Sequence, residues 1–395
     1  MSDKRDVVVV SCVRAAIGSF GGTLKDLSSS TLGARVVKEA ISRAKIDPSQ
    51  IGQLVCGNVI HGEARDMYVS RAIALDAGMA RESCALTLNR LCGSGLQAIV
   101  SAANAIQLGD TDAAIGCGVE SMSRSGYLMP AARFGARMGD TKLVDMMVGA
   151  LTDPFSPNHM GITAENVAEQ FSITREQQDA LALESQRRAV AAIAAGHFKT
   201  QIVPIEIQSR KGTVLFDTDE YPKADASPEG LARLKPAFKK DGTVTAGNAS
   251  GINDGAAAVV MMEAAAAAKA GLKPLARLVS YAVSGVDPSI MGTGPIPAVK
   301  LALKRAGLTV KDIDVIESNE AFAAQALCVT KNLEFDPAKV NPNGGAVALG
   351  HPLGATGAIL TVKCLYELER TGKRYGLVTM CIGGGQGIAG IFERL

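Results

Sequence analysis

The chain has 395 residues, too many for one ordinary core and enough for two or three domains. Its 47% hydrophobic content, rich in alanine and in glycine (42 residues), fits a close-packed α/β protein and excludes a disordered chain. A net charge of +2 excludes the basic excess of a nucleic-acid binder, and no apolar run reaches the ~20 residues of a membrane span.

The first six residues lead straight into Val7-Val8-Val9-Val10, read as a strand, and leave no room for a signal or transit peptide. The chain ends Phe392-Glu393-Arg394-Leu395, which is not a peroxisomal signal. The eight cysteines are scattered, without C-x-x-C or zinc spacing. They read as reduced thiols of a cytoplasmic protein with no metal site, five or six of them small core residues.

Two stretches repeat each other. An amphipathic helix through Val36–Ala44 is followed by a buried strand near Ile51, Leu54 and Val55. A second helix through Val299–Ala306 is followed by a strand near Ile313 and Ile316. Ala44 and Ala306 are 262 residues apart, and so are Gly95 and Gly357. After each of these glycines come a helix (96–108; 358–369) and a short apolar strand (113–115; 376–380). The alternation predicts two similar α/β halves with helices covering the sheets. The duplication leaves out a long insertion, 122–245, rich in Met, Arg, Pro and Asp. Within it, Thr174-Arg175-Glu176-Gln177 is a capping box opening a helix to about Ala195.

Three glycine-rich turns carry reactive side chains. Cys92 lies in Asn89-Arg90-Leu91-Cys92-Gly93-Ser94-Gly95, His351 in Gly350-His351-Pro352-Leu353-Gly354-Ala355-Thr356-Gly357, and Cys381 in Met380-Cys381-Ile382-Gly383-Gly384-Gly385-Gln386-Gly387. Together they suggest one site with two sulfurs in different roles. Small neighbours let a substrate approach and leave backbone N–H groups free for an oxyanion. Cys92, just before a helix, is expected to have a lowered pKa. It would attack a thioester and keep the acyl group, with His351 taking or sharing its proton. Cys381 is the candidate for the second role, that of a base. His61 and His197 have no motif around them.

These motifs, with Gly57-Asn58-Val59, Gly161-Ile162-Thr163-Ala164-Glu165-Asn166, Gly247-Asn248-Ala249-Ser250-Gly251 and Asn319-Glu320-Ala321-Phe322, resemble the thiolase family over essentially the whole chain. The similarity is greatest to bacterial short-chain acetyl-CoA acetyltransferases and β-ketothiolases, the kind that also supply polyhydroxyalkanoate synthesis. The resemblance implies a duplicated five-layer αβαβα fold. One half would be 1–121 with 246–272, the other 273–395, and the inserted 122–245 would be a loop domain holding coenzyme A. It implies that a carbon–carbon bond is formed after Cys381 removes the weakly acidic α-proton of a bound acetyl-CoA, that His351 and a water on Asn319 stabilise the enolate, and that the N–H groups of Cys92 and Gly383 serve the acyl-enzyme. It places His159, Met160, Ser250 and Met291 around the pantetheine and acyl group. Further candidates for the CoA thioester are Lys223, Leu231, Phe238, Ala246, Ala321 and Phe322, and Lys211, Arg233, Lys235, Lys239 and Lys240 are cations for its phosphates. The implied substrates are acetyl-CoA, short 3-ketoacyl-CoA and CoA, with no separate cofactor, in a homotetramer built from tight dimers.

Ser318 stands where alanine is usual in the family, and Thr356 where serine is common. Alternatives are a decarboxylating ketoacyl synthase relative, against which the second cysteine speaks, and a catalytically silent thiolase-fold scaffold. A nucleotide-binding protein is a third, without a Gly-x-Gly-x-x-Gly or Gly-Lys-Ser/Thr loop to support it.

Overall fold

The computed structural model describes residues 5–209 and 212–395. Most of the N-terminal segment read above (residues 1–4) and Lys211 lie outside the described residues. The first half consists of β1 (Val7–Ala15), α1 (Ser29–Ala44), β2 (Gln53–Gly57), β3 (Cys84–Leu88), α2 (Ser94–Leu108) and β4 (Ala113–Ser121). After an intervening segment that carries α3 (Met160–Gln170) and α4 (Arg175–Ala194), β5 (Asn253–Glu263) returns between β1 and β4. The second half comprises β6 (Ala276–Gly285), α5 (Pro295–Ala306), β7 (Val315–Ser318), α6 (Ala323–Asn332), α7 (Leu353–Thr371), β8 (Tyr375–Ile382) and β9 (Gln386–Arg394).

The strands lie in the order β7-β8-β9-β6-β1-β5-β4-β2-β3. Each half repeats one pattern outward from the middle, and the halves join antiparallel through only Val8↔Arg277 and Val9↔Ala276. Gln53 to Val315 and Ala113 to Tyr375 are both steps of 262 residues, so the sequence offset persists in the strand starts.

Side-chain alternation along the strands builds the layers. On β8 and β9, Leu377, Ala389 and Ile391 join the cluster of α5 residues Ala298, Val299 and Ala302. Val378, Met380, Ile388 and Phe392 face the other way, into the main core with Leu96 of α2 and Leu365 of α7. On β4 a Cβ at Gly116 would meet Ile99 of α2, whereas Val119 lies toward Gly33 of α1. Helices α2 and α7 therefore form a shared middle layer, with a sheet and an outer helix on each side.

The two glycines that set the offset are the contact point of that layer. A Cβ on Gly95 would lie 2.6 Å from the backbone N of Ala358, and one on Gly357 would lie 2.2 Å from the backbone N of Leu96. Only glycine permits this backbone approach. Helix α7 begins at Leu353 rather than Ala358, with Pro352 as its N-cap, because Gly354 and Gly357 can stay helical against α2. The capping box at Thr174 and Gln177 is formed, and α4 ends at Ala194.

Candidate active site

Cys92 sits in a turn fixed by its own side chains. Leu91 N donates to Asn89 Oδ1 (2.8 Å), Arg90 N to Ser94 Oγ (2.8 Å), and the Ser94 hydroxyl donates to Leu91 O (2.7 Å). Leu91 is held at φ +45°, a left-handed conformation that costs a branched residue energy and is over-determined here by these bonds. Gly93 fits because Ile382, just after Cys381, occupies the space where its Cβ would stand, 2.5 Å away. The strand carrying the second thiol is thus packed directly on the nucleophile turn.

The backbone N–H groups of Gly383 and of Cys92 itself favour the charged form of the Cys92 sulfur. Desolvation is larger and opposite, so the thiol is pushed up to about 11. This corrects the lowered pKa expected from the helix position. Cys381 is fully buried on β8, and its thiol is raised further by burial and then by Cys92. Burial thus favours the protonated form of both sulfurs.

His351 follows Gly350, which sits at φ +105° against the Asn253 side chain. Its backbone N donates to Asn253 Oδ1 (3.0 Å). The Thr356 hydroxyl donates to Pro352 O (2.8 Å), so it accepts from His351 Nδ1–H at 2.6 Å. That leaves Nε2 bare, facing Asn319 Nδ2 at 3.3 Å. The imidazole is neutral, and burial pulls its pKa down to about 4. Asn319 is buried with its Oδ1 free of any protein partner.

Around Cys381 packs an apolar cluster of Met160, Ala164, Val244, Ala249, Met291, Ala321 and Phe322, with Phe238 against it. The His159 ring stacks on Phe238 at 4.6 Å, and Phe238 meets Phe322 edge-on at 6.1 Å. His159 Nδ1 also accepts from Gly161 N and caps α3. Ser250 N donates to Ala321 O (3.0 Å). A Cβ on Gly383 would stand 3.2 Å from Leu91 and 3.5 Å from Met160, so this glycine keeps the space between them open.

Three other candidates, Lys223, Leu231 and Ala246, line a separate cavity of 210 Å³ with Tyr221 and Gly247. The site residues therefore form two groups joined by the loop from Ala246 to Ser250. Of the remaining cations, Lys239 pairs with Glu169 at 3.2 Å. A larger cavity of 590 Å³, lined by Cys12, Arg43, His197 and Tyr366 among others, contains none of these residues.

Sequence reasoning treated Thr356 only as a departure from pattern and overlooked Asn253, although it closes the Gly251-Ile252-Asn253 run beside a quoted motif. It overlooked Glu120 as well. This buried carboxyl accepts from Asn58 Nδ2, Val59 N, Ile60 N and Gly354 N, and so ties the first half to the His351 turn. Four donors with no acceptor among them match an ionised carboxylate, against the upward pull of burial. The Ser318 hydroxyl is buried without a partner.

Residues 7–265 match the thiolase N-terminal domain and 272–394 the thiolase C-terminal domain. The chain is 65% identical to beta-ketothiolase BktB of Cupriavidus necator over 392 residues, covering 99% of this chain and all of that protein. It is 53% identical to the acetyl-CoA acetyltransferase of Escherichia coli, again covering 99% of this chain and all of the relative. Among solved structures, the Bacillus anthracis acetyl-CoA acetyltransferase superposes with a TM-score of 0.97 at 46% identity, covering 99% of each chain. Human mitochondrial 3-ketoacyl-CoA thiolase in complex with CoA superposes at 0.96 with 45% identity, covering 99% of this chain and 98% of that one. The chain belongs to the thiolase family.

Proposed function

We propose that this chain condenses acetyl-CoA with acetyl-CoA or another short acyl-CoA, and cleaves the 3-ketoacyl-CoA product with CoA, by passing the acyl group through Cys92. The observation that carries the reading is the packing of the Cys381 strand, through Ile382, on the Cys92 turn, with Leu353 of the His351 turn against Cys92 and the His351 Nε2 paired with Asn319.

The protonation states suggest a closed proton cycle. Cys92 gives its proton to His351 Nε2 and its sulfur attacks the thioester carbonyl. The carbon–sulfur bond to CoA breaks, and Cys381 protonates the departing CoA thiolate. Cys381, now a thiolate, removes the α-proton of the next acetyl-CoA. The resulting enolate attacks the acyl-Cys92 carbonyl, and the Cys92 thiolate leaves and recovers its proton from His351. Asn319 and His351 face the enolate oxygen, with a water on the free Asn319 Oδ1. The N–H groups of Cys92 and Gly383 face the acyl-enzyme oxygen.

For substrate binding, Met160, Met291, Ala321 and Phe322 wall the acyl end, and His159, Phe238 and Ser250 flank the pantetheine. Lys223, Leu231 and Ala246 hold the nucleotide end in the 210 Å³ cavity. Fully packed methionines favour short chains. The test is cleavage of acetoacetyl-CoA, 3-ketovaleryl-CoA and 3-ketohexanoyl-CoA side by side. Fastest turnover of the two shorter substrates is expected. No cleavage of any would refute the activity, and preference for the longest would refute the pocket.

The assembly is proposed to be a tetramer of paired dimers. Strand β3 ends the sheet with Leu86 46% exposed, and Tyr127, Phe134, Met138 and Leu143 are exposed in the segment after β4. An open edge and several exposed apolar side chains both favour a second copy. A monomer mass by light scattering at micromolar concentration would overturn this. No helix among the described residues is long and apolar enough to cross a membrane, and a cytoplasmic location is proposed from the reduced cysteines.

A further inference from the structure

The duplicated halves differ at one edge, and the difference lies beside Asn319. In the first half β2 has a full parallel partner, β3, from Gln53↔Cys84 to Gly57↔Leu88. Its counterpart β7 ends the sheet with a single parallel bridge, Ile316↔Val340. Ile316 stands 262 residues after Leu54, which pairs with Ala85 of β3. Ile316 N donates to Lys339 O (2.9 Å) and Asn341 N to Ile316 O (2.8 Å), so one regular rung is present. In a continuing parallel ladder the next rung would use Asn341 O and Asn343 N against Ser318.

The backbone does not supply that rung. Asn341 turns away at φ +45°, and its side chain takes over. Ser318 N donates to Asn341 Oδ1 (2.9 Å), and Asn341 Nδ2 donates to Ser318 O (2.8 Å). A carboxamide has the same acceptor and donor as a peptide unit, so one buried side chain stands in for the missing strand. Beyond this rung, Asn319 N donates to Thr379 O of β8 (2.9 Å), two residues before Cys381.

Asn341 Nδ2 also donates to Glu320 Oε1 (2.8 Å). The other oxygen of Glu320 accepts from Ser185 Oγ of α4 (2.7 Å) and from Val347 N (3.2 Å), in the turn leading to His351. Ser185 Oγ accepts in turn from Gly345 N (3.0 Å). A Cβ on Gly345 would overlap the Glu320 carboxyl, 2.2 Å from its carbon. The two segments that present Asn319 and His351 are thus joined through one carboxylate and one carboxamide, both buried.

We propose that Asn341 and Glu320 are positioning residues for the enolate site: they set the spacing of Asn319 and His351 by replacing the strand that the second half lacks. Neither touches the reacting atoms. Ser185 extends the bracket into the inserted segment.

This rests on the proposed use of Asn319 and His351 at the enolate, so the two half-reactions are measured separately. The first is acetylation of Cys92 by acetyl-CoA. The second is exchange of acetyl-CoA α-hydrogens with deuterated water. A wild-type protein that acetylates but does not exchange would sink the reading of the enolate site itself. Given wild-type exchange, Asn341→Ala should lose it by roughly a hundredfold, the scale of one lost oxyanion donor. Acetylation should fall much less, since it uses His351 but not Asn319, and CoA affinity should stay within a few-fold. Ser185→Ala leaves the strand edge intact and should lose exchange several-fold with the same selectivity; it decides the matter if Asn341→Ala does not fold. Equal loss of both half-reactions, or unchanged exchange in a folded variant, would overturn the proposal and leave Asn341 a purely structural residue.

Discussion

Replacing Thr356 with valine tests how the imidazole is set. The change keeps the shape of the side chain and removes one hydroxyl. That hydroxyl donates to Pro352 O and receives the His351 Nδ1 proton, so its loss strands the buried Nδ1 donor, while Pro352 O keeps the N–H groups of Ala355 and Thr356. An unsatisfied buried group costs about 1–3 kcal/mol. The ring can escape part of that cost by moving its proton to Nε2, but Nε2 then presents a proton to Asn319 Nδ2 and can no longer take one from Cys92. If the cost falls on the transition state, turnover drops roughly 5- to 150-fold at about 1.4 kcal/mol per decade. Thiolysis of acetoacetyl-CoA should show this fall in kcat with little change in the KM for CoA. Thr356→Ser should remain near wild type. Wild-type turnover in Thr356→Val would refute the tautomer argument, and a collapse in melting temperature would show that the hydroxyl serves the fold.

Three further outcomes are expected. Because the Cys92 thiol is raised to about 11, iodoacetamide labelling of the free protein should climb roughly tenfold per pH unit between 7 and 9; a plateau in that range would mean a lowered pKa. Gly357→Ala should destabilise by about 1–3 kcal/mol in thermal unfolding, since its Cβ meets the α2 backbone rather than a movable side chain; an unchanged melting temperature would contradict the close crossing. For His351, held at about 4 in the fold against an ordinary value near 6.5, the unfolded chain binds the extra proton between those values. Wild-type stability should therefore fall relative to His351→Gln as pH drops from 6.5 to 4, by roughly 3 kcal/mol at most, and a pH-independent difference would contradict a buried neutral ring.

Much of this site was legible before any coordinates. The matched glycines carried the duplication because a close helix crossing demands glycine from both partners, and that demand is written locally as Gly95 and Gly357. Cys92, His351 and Cys381 stood out because each lies in its own glycine-rich turn. Asn341 and Asn253 did not, since each acts on a backbone far away in sequence, and nothing in Asn341-Pro342-Asn343 announces that an amide replaces a strand rung; Thr356 meets the His351 ring only through the turn between them. The pKa of Cys92 was misjudged for a related reason. Position before a helix can be seen in sequence, while the burial that outweighs it comes from the cluster of Ile60, Met122 and Leu353 on which Cys92 packs together with Met147 and Leu151 of the inserted segment.

The division of labour between the two thiols is tested most directly by Cys381→Ala with labelled acetyl-CoA in deuterated water. Two readouts are taken from one sample: acetyl groups on the Cys92 peptide, and deuterium in the acetyl-CoA methyl group. Cys92 should still become acetylated, more slowly for want of the acid that protonates CoA, while deuterium incorporation and condensation vanish. Deuterium incorporation at the wild-type rate would assign the α-proton to His351 or another base, and the two-thiol mechanism would have to be abandoned.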